Sequence, residues 1–290
     1  MGGARTLSYN RSQCVMAAPA LSKVRAIVTD LDGTLLRSDS TVSSFTHDVL
    51  SRLCDQGYRL IFATARPKHS ALRITRLIAP MAPVIYSNGA AVYDPVIGRT
   101  LRTQIIPPRI VQEIVCDIRR LFPGALIAVD CAIPPNVGSA RTLDPDWPPN
   151  WGATPGDRAL WRMDSNSPPP RSVICLMVLG SWDTHLDVPQ RWPVTVTSSG
   201  QGLIEFSALS ATKVSALRWL CRRLGISMDT IISFGDMPTD AEVLAATGIG
   251  VAVANAHELA KAAAQFITES NNEDGVALFL ARALCLAVND

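Results

Sequence analysis

Acidic, hydroxyl and ammonium side chains lie next to three short apolar segments, at residues 24–29, 59–64 and 230–234. Short apolar runs of this kind are typical of buried strands. The carboxyl ends of parallel strands meet at one edge of a sheet, which is where ligands bind in such folds. We therefore expect these polar side chains to lie close together. They are Asp30 and Asp32 after the first segment, Thr64 at the end of the second, Lys213 before the third, and Asp236 and Asp240 after it.

The chemistry that uses this set of side chains is phosphoryl transfer. A carboxylate can attack phosphorus, and Asp30 stands at the end of its strand for this role. Asp32 follows two residues later, where it could protonate the leaving oxygen and then activate water. Thr64 could donate a hydrogen bond to a phosphate oxygen, and Lys213 offers a compact positive charge for the same group. The alternative for the acidic pair followed by Gly33 is an ordinary turn, which these residue types also favour.

Several carboxylates beside a phosphate would repel it unless a cation lay between them. Asp30, Asp236 and the backbone carbonyl of Asp32 offer hard oxygen ligands, and Asp240 could support them. Mg²⁺ suits such a site because it takes few protein oxygens and keeps several waters. The sequence therefore predicts a magnesium site at this edge of the sheet. For Asp240 the alternative is a favourable charge at a helix N-terminus.

Strand-like and helix-like segments alternate in two parts of the chain, and the middle differs from both. Alternation of this kind predicts a parallel sheet with helical crossovers. The expected fold class is α/β, with a Rossmann-like parallel sheet, helices on both of its faces and an inserted α+β cap domain. Residues 23–90 and 208–290 would form the catalytic core, residues 91–207 the inserted cap, and residues 1–22 a disordered tail.

The predicted insertion contains a helix opened by Pro107 and Pro108, followed by a long polar stretch. The segment between residues 130 and 171 is rich in Pro, Trp, Asp and Asn, which is typical of a functional loop or a disordered one. Most tryptophans of the insertion are expected to pack in its core. Trp147 and Trp151 are the two expected to meet a substrate, because a ring can stack on them.

The composition of the chain is that of an ordinary globular protein. With 48% apolar and 18% charged residues, the chain can bury a sizeable core. A net charge of +2 gives no bulk attraction to nucleic acid or to a membrane, so neither is expected as a partner. Seven scattered cysteines fit neither a metal spacing nor a disulfide framework, which favours a cytoplasmic protein. The N-terminus fits a loose myristoylation pattern, although a disordered tail or a true start at Met16 is the simpler interpretation.

Four short motifs resemble those of the haloacid dehalogenase superfamily, in the same order along the chain. Each motif alone is moderately specific, and the four in the same order are strong evidence for the resemblance. They are Asp30-Leu31-Asp32-Gly33-Thr34-Leu35-Leu36, Ile61-Phe62-Ala63-Thr64-Ala65-Arg66-Pro67, the lysine at Lys213, and Gly235-Asp236-Met237-Pro238-Thr239-Asp240.

Further matches resemble the Cof-like branch of that superfamily (subfamily IIB), whose cap lies between the second and third motifs. The resemblance covers residues 24–90 and 200–280 well and the predicted cap hardly at all. The additional segments are Ser87-Asn88-Gly89-Ala90, Leu203-Ile204-Glu205-Phe206, and the run Thr268-Glu269-Ser270-Asn271-Asn272-Glu273-Asp274-Gly275-Val276-Ala277.

The resemblance implies a Mg²⁺-dependent phosphatase, a phosphoric monoester hydrolase acting on a small phosphorylated metabolite such as a sugar phosphate. The oligomeric state stays open between a monomer and a weak dimer. The implied roles are nucleophile for Asp30, acid–base catalyst for Asp32, phosphate contacts for Thr64, Ala65, Asn88 and Lys213, and metal binding for Asp30, Asp32, Asp236 and Asp240.

The sequence departs from the family pattern at three positions. Ala65 and Ala254 stand where glycine is usual, and Thr239 stands where asparagine is common. None of the three removes a charged group, so activity is expected. Two alternatives to a hydrolase remain at this point: a phosphotransferase or phosphomutase with the same aspartyl-phosphate, and a catalytically impaired regulatory protein that keeps the phosphate pocket.

Overall fold

The structure is a computed structural model that describes residues 23–132, 141–144, 146–148, 172–180, 192–200 and 202–284. The predictions for residues 1–22, for Trp151 and for most of the Pro-rich stretch lie outside these residues. The helices are α1 (Ser44–Asp55), α2 (Lys68–Ile78), α3 (Pro108–Leu121), α4 (Lys213–Leu224), α5 (Ala241–Ala246), α6 (Glu258–Ala263) and α7 (Gly275–Ala283). The strands are β1 (Ala26–Thr29), β2 (Arg59–Ala63), β3 (Val84–Tyr86), β4 (Ala91–Asp94), β5 (Arg99–Thr103), β6 (Leu126–Cys131), β7 (Arg141–Leu143), β8 (Val173–Leu179), β9 (Val194–Gly200), β10 (Leu203–Ala208), β11 (Ile231–Gly235), β12 (Ile249–Val253) and β13 (Phe266–Thr268).

The larger sheet is built from both ends of the described chain. Its strand order is β13-β12-β11-β1-β2-β3-β4-β5, and the pairs from β13 through β3 are parallel. Strand β1 lies in the middle, with β11 on one side and β2 on the other. The carboxyl ends of β1, β2 and β11 therefore lie side by side. This mostly parallel sheet confirms the predicted α/β class.

Helices cover both faces of this sheet because alternate side chains of each strand point to opposite faces. In β1, Ile27 packs in one cluster with residues of α1, α2 and α7. Ala26 and Val28 belong to a second cluster with Ala216 and Leu217 of α4. Strands that are apolar on both sides are what a buried parallel sheet requires.

Strands β4 and β5 belong to the larger sheet, although they lie within residues 91–207, which the sequence predicts to form the insertion. Strand β4 pairs antiparallel with β3, and β5 pairs antiparallel with β4. Strand pairing therefore places this hairpin at the edge of the larger sheet, whereas the start of the insertion at residue 91 stays a prediction. At the other end, β10 belongs to the second sheet up to Ala208, next to the predicted boundary.

A second, antiparallel sheet lies between these two parts of the chain, with strand order β7-β6-β8-β10-β9. The apolar side of α3, with Ile110, Val111 and Ile114, packs in one cluster with residues of β6, β8 and β10. This α+β arrangement is consistent with a cap, and the domain division itself stays a prediction. Among the described residues, no helix is long and apolar enough to cross a membrane.

The two described tryptophans of the insertion are both packed. Trp147 is only 2% exposed and contacts a cluster that includes Ala128, Met177 and Leu203 of the second sheet. Trp192 is buried against Phe206 in an edge-to-face pair with ring centroids 6.2 Å apart. The expectation that Trp147 meets a substrate is therefore wrong, because its ring is needed to cover the apolar sheet.

Candidate active site

The site lies at the carboxyl edge of the larger sheet, where β1, β2 and β11 end. Asp30 directly follows β1, Thr64 follows β2, and Asp236 follows β11. Lys213 is the first residue of α4, since the Thr212 side chain accepts a hydrogen bond from the Ser215 N–H and begins the helix there. These residues lie at the same edge of the sheet because β11, β1 and β2 are neighbouring parallel strands.

Lys213 joins two of the carboxylates. Its Nζ donates to Oδ1 of Asp30 at 2.8 Å and to Oδ1 of Asp240 at 2.7 Å, and all three side chains are buried. Burial by itself would lower the pKa of Lys213, but the charges of Asp240 and Asp30 raise it above its usual value. Burial raises the pKa of Asp30 well above its usual value, and Lys213 opposes that shift. Lys213 therefore stays protonated and keeps Asp30 from being an isolated buried charge.

Asp240 uses both of its carboxylate oxygens within the protein. Oδ1 accepts from Lys213, and Oδ2 accepts from the backbone N–H groups of Met237 at 3.0 Å and Asp236 at 3.3 Å. These bonds fix the turn that carries Asp236.

Asp236 is a buried carboxylate held by a hydroxyl group. Thr34 Oγ1 donates to its Oδ1 at 2.7 Å. Burial raises the pKa of Asp236 to about 6, the Thr34 hydrogen bond lowers it, and the charge of Asp240 raises it. Sequence reasoning gave Thr34 no role, although its place four residues after Asp30 in the first motif was a usable signal.

Asp32 does not join this buried group. Its side chain is half exposed and forms a bidentate ion pair with Arg66, whose Nε donates to Oδ2 at 2.7 Å and whose NH2 donates to Oδ1 at 2.5 Å. Arg66 also donates to Ser70 Oγ at 3.0 Å. Sequence reasoning missed Arg66, which stands two residues after Thr64 at the same edge of the sheet.

Thr64 and Asn88 lie side by side. The backbone N–H of Asn88 donates to the Thr64 carbonyl at 3.1 Å, and Thr64 Oγ1 accepts from the backbone N–H of Arg66 at 3.0 Å. Asn88 Oδ1 is buried and has no hydrogen-bond partner among the described residues. Asn88 adopts φ of 52°, a left-handed conformation that asparagine tolerates better than most residues. Next to it, a side chain at Gly89 would overlap the backbone of Thr212, just before Lys213.

The two alanines at positions where glycine is usual are accommodated without strain. Neither Ala65 nor Ala254 has a positive φ, and both are exposed. The backbone conformations at these positions therefore do not require glycine.

The acidic residues fit a divalent cation. Oxygen atoms of Asp30, Asp236 and Asp240 all lie within 4.8 Å of one another, and all three residues are buried. Lys213 is the cation paired with Asp30 and Asp240, and no ion pair to Asp236 is found in the part of the chain that the structure describes. Hard oxygen donors with surplus negative charge suit a metal such as Mg²⁺ or Ca²⁺.

Relatives of known activity match almost the whole chain. The 5-amino-6-(5-phospho-D-ribitylamino)uracil phosphatase YitU of Bacillus subtilis is 27% identical over 274 residues, covering 89% of this chain and 97% of the relative. The pyridoxal phosphate phosphatase YbhA of Escherichia coli is 25% identical over 271 residues, covering 88% and 97%.

Solved structures share the fold. A haloacid dehalogenase-like hydrolase from Bacteroides thetaiotaomicron superposes with a TM-score of 0.75 at 23% identity, covering 89% of this chain and 99% of that structure. TM0651 from Thermotoga maritima gives a TM-score of 0.73 at 24% identity, covering 92% and 98%. The haloacid dehalogenase-like hydrolase family matches the chain over residues 27–129 and 184–280. The chain therefore belongs to the haloacid dehalogenase-like hydrolases, and its curated relatives place it among the phosphatases of that family.

Proposed function

We propose that this phosphatase is Mg²⁺-dependent and hydrolyses a small phosphorylated metabolite through an aspartyl-phosphate on Asp30. The observation that carries the proposal is the buried Asp30 carboxylate, held by Lys213 within a cluster of further carboxylates. Its Oδ1 accepts from Lys213, whereas no hydrogen bond to its Oδ2 is found among the described residues. Oδ2 is therefore the candidate attacking atom.

In the first step an oxygen of Asp30 forms a bond to phosphorus while the bond from phosphorus to the leaving oxygen breaks. Asp32 gives that oxygen its proton. Because an ionised carboxylate has no proton to give, Asp32 must take one up and loosen from Arg66 first. In the second step water attacks phosphorus, Asp32 takes the proton of that water, and Asp30 leaves as a carboxylate. Lys213 is positioned to contact a phosphoryl oxygen beside Asp30, and Thr64 and Asn88 are candidates for the same group.

Mg²⁺ would be held by Asp30, Asp236 and the backbone carbonyl of Asp32, with Asp240 as a supporting group. When bound, it neutralises carboxylate charge and so reduces the repulsion of an anionic substrate. Both oxygens of Asp240 are already hydrogen-bonded within the protein, which favours the supporting role over direct ligation.

The names of the relatives suggest where to look for the substrate. One acts on a ribitylamino-uracil phosphate and another on pyridoxal phosphate, which are both small phosphate esters that carry a ring. We propose a substrate of this size class, with sugar phosphates included. No observation favours a transferase or an impaired regulatory protein over a hydrolase.

The test measures phosphate release from sugar phosphates, nucleotides, pyridoxal phosphate and the ribitylamino-uracil phosphate, with Mg²⁺ or with EDTA. We expect Asp30→Asn to lose at least ~10³-fold in kcat, since the attacking atom is lost. Asp55→Asn, an exposed aspartate at the end of α1, is the matched control and should behave as the wild type. Turnover by Asp30→Asn at the rate of this control would refute the mechanism.

A further inference from the structure

Two asparagines outside the acidic cluster hold the chain segment that follows the nucleophile. Asn255, in the loop after β12, donates its Nδ2 to the carbonyl oxygen of Gly33 at 2.7 Å. Its Oδ1 accepts the backbone N–H of Asn271 at 2.9 Å. Asn271 in turn donates its Nδ2 to the carbonyl oxygen of Leu36 at 2.8 Å. We call Asn255 and Asn271 the asparagine clasp.

The clasp fixes its own orientation. Asn255 uses both ends of its amide, so a flipped amide would lose the bond to Gly33 and the bond from Asn271. Asn271 is only 6% exposed, which leaves little room for water to replace its bonds. Leaving a buried donor or acceptor unpaired costs about 1–3 kcal/mol. The buried bond of Asn271 therefore holds the Leu36 end of the segment, and Asn255, which is exposed, connects the Gly33 end to Asn271.

The held segment contacts the acidic cluster directly. Gly33 has φ of +72°, and a Cβ built on it would lie 2.5 Å from Oδ2 of Asp236. Thr34 Oγ1 donates to the other oxygen of the same carboxylate. Asp32 immediately precedes Gly33. A displacement of this segment would therefore move a candidate metal ligand and the candidate acid–base group together.

A second set of contacts holds the two residues that follow this segment, farther from the acidic cluster. Arg37 forms a bidentate ion pair with Asp274, with distances of 2.6 and 3.2 Å. Asn272 donates to Ser38 Oγ at 3.0 Å and accepts the Ser38 backbone N–H at 2.9 Å. Asn272 is exposed. It is thus a neighbouring asparagine whose hydrogen bonds go to Ser38, two residues beyond the end of the segment.

We propose that Asn255 and Asn271 are positioning residues, which keep Asp236 placed for the metal and Asp32 placed for the leaving group. This inference rests on the proposed function, since it assigns the clasp a task in that reaction. It also gives a role to one residue of the motif at residues 268–277, because the Asn271 side-chain amide makes the hydrogen bond to Leu36.

The experiment compares Asn255→Ala with the control Asn272→Ala in the full chain. Mg²⁺ affinity is measured by titration calorimetry, kcat and KM by phosphate release, and stability by urea unfolding. For Asn255→Ala we expect Mg²⁺ affinity and kcat to fall about 10-fold or more, because groups that orient metal ligands have effects of about 10–100-fold. KM should change less than kcat. Asn272→Ala should stay within about twofold of the wild type, because Asn272 is exposed and both of its hydrogen bonds go to Ser38, farther from the acidic cluster.

A second pair of variants separates positioning from stability. The double variant Asn255→Ala/Asn271→Ala should lose about as much kcat as Asn271→Ala alone. The effects of the two substitutions should not add, because both residues act through the same segment. Because Asn255 is exposed, its variant should fold even if Asn271→Ala does not.

Loss of stability in Asn255→Ala with Mg²⁺ affinity and kcat equal to those of Asn272→Ala would overturn the inference. A wild type that binds Mg²⁺ but releases no phosphate would refute the proposed function alone, and the calorimetry would still test the clasp. A wild type that neither binds Mg²⁺ nor releases phosphate would overturn both.

Discussion

Replacing Lys213 by Met should destabilise the metal-free protein strongly. The substitution keeps the length of the side chain but removes the cation that lies 2.8 Å from Asp30 and 2.7 Å from Asp240. Both carboxylates are buried, with side chains 7% and 4% exposed, so water cannot replace the ammonium. Removing one partner of a buried ion pair costs about 3–5 kcal/mol. That is a large fraction of the 5–15 kcal/mol by which a domain is usually stable.

The assay is urea unfolding in EDTA at pH 7.5 and at pH 5.5. Lys213 lowers the pKa of Asp30, so its removal raises that pKa further above the value in the unfolded chain. A group with a raised folded pKa stabilises the fold below its unfolded pKa and loses that contribution as the pH rises. The deficit of Lys213→Met should therefore be larger at pH 7.5 than at pH 5.5.

Lys261→Met is the matched control. Lys261 pairs with Glu258 at 3.1 Å, but the glutamate side chain is 86% exposed, and surface pairs contribute about 0–1 kcal/mol. If Lys213→Met lost no more stability than Lys261→Met, the inference that Lys213 neutralises buried charge would be refuted.

Three further outcomes are expected. Asp32→Asn should slow phosphate release from alkyl phosphates by ~10²–10⁴-fold. The rate of its burst phase with 4-nitrophenyl phosphate should fall less, because 4-nitrophenolate leaves without a proton. Equal rate losses for both substrates in a stopped-flow comparison would count against Asp32 as the acid. Mg²⁺ affinity measured by calorimetry should fall as the pH drops below about 6, where Asp236 binds a proton. Thr34→Val should move the midpoint of this fall to higher pH, because the Thr34 hydrogen bond lowers the pKa of Asp236. An unchanged midpoint would contradict the role of Thr34. Trp147→Ala should cost about 3–5 kcal/mol in urea unfolding, as expected of a buried ring, and a change in KM without loss of stability would restore its predicted contact with substrate.

The sequence was most informative where local patterns decide the structure. Apolar runs ending in polar residues predicted β1, β2 and β11 and the edge at which they meet. The hairpin of β4 and β5 could not be assigned in the same way, because its residues carry no signal for which of two sheets they join. Only the backbone pairing of β3 with β4 decides it.

Site residues were predictable as members of a cluster but not as partners. Asp30, Asp236 and Lys213 were expected together because topology brings strand ends together. The pairing of Arg66 with Asp32 and the bond from Asn255 to Gly33 depend on side-chain positions across 34 and 222 residues of chain. Such pairs leave no periodicity or spacing in a single sequence. The prediction for Trp147 was wrong for a similar reason, since a polar stretch of sequence does not show that its tryptophan packs on one face of a sheet.

Assembly of the core from both chain ends has a consequence for folding kinetics. The contact of Arg66 with Asp32 closes a loop of 34 residues, whereas that of Lys213 with Asp30 closes one of 183. The longer closure costs about 1.5 kcal/mol more in chain entropy, and contacts between residues distant in sequence slow folding. During synthesis, Asp30 leaves the ribosome long before Lys213 and Asp236 exist. We therefore expect catalytic competence to appear in the last folding step, and a ribosome-bound chain ending before residue 213 to release no phosphate.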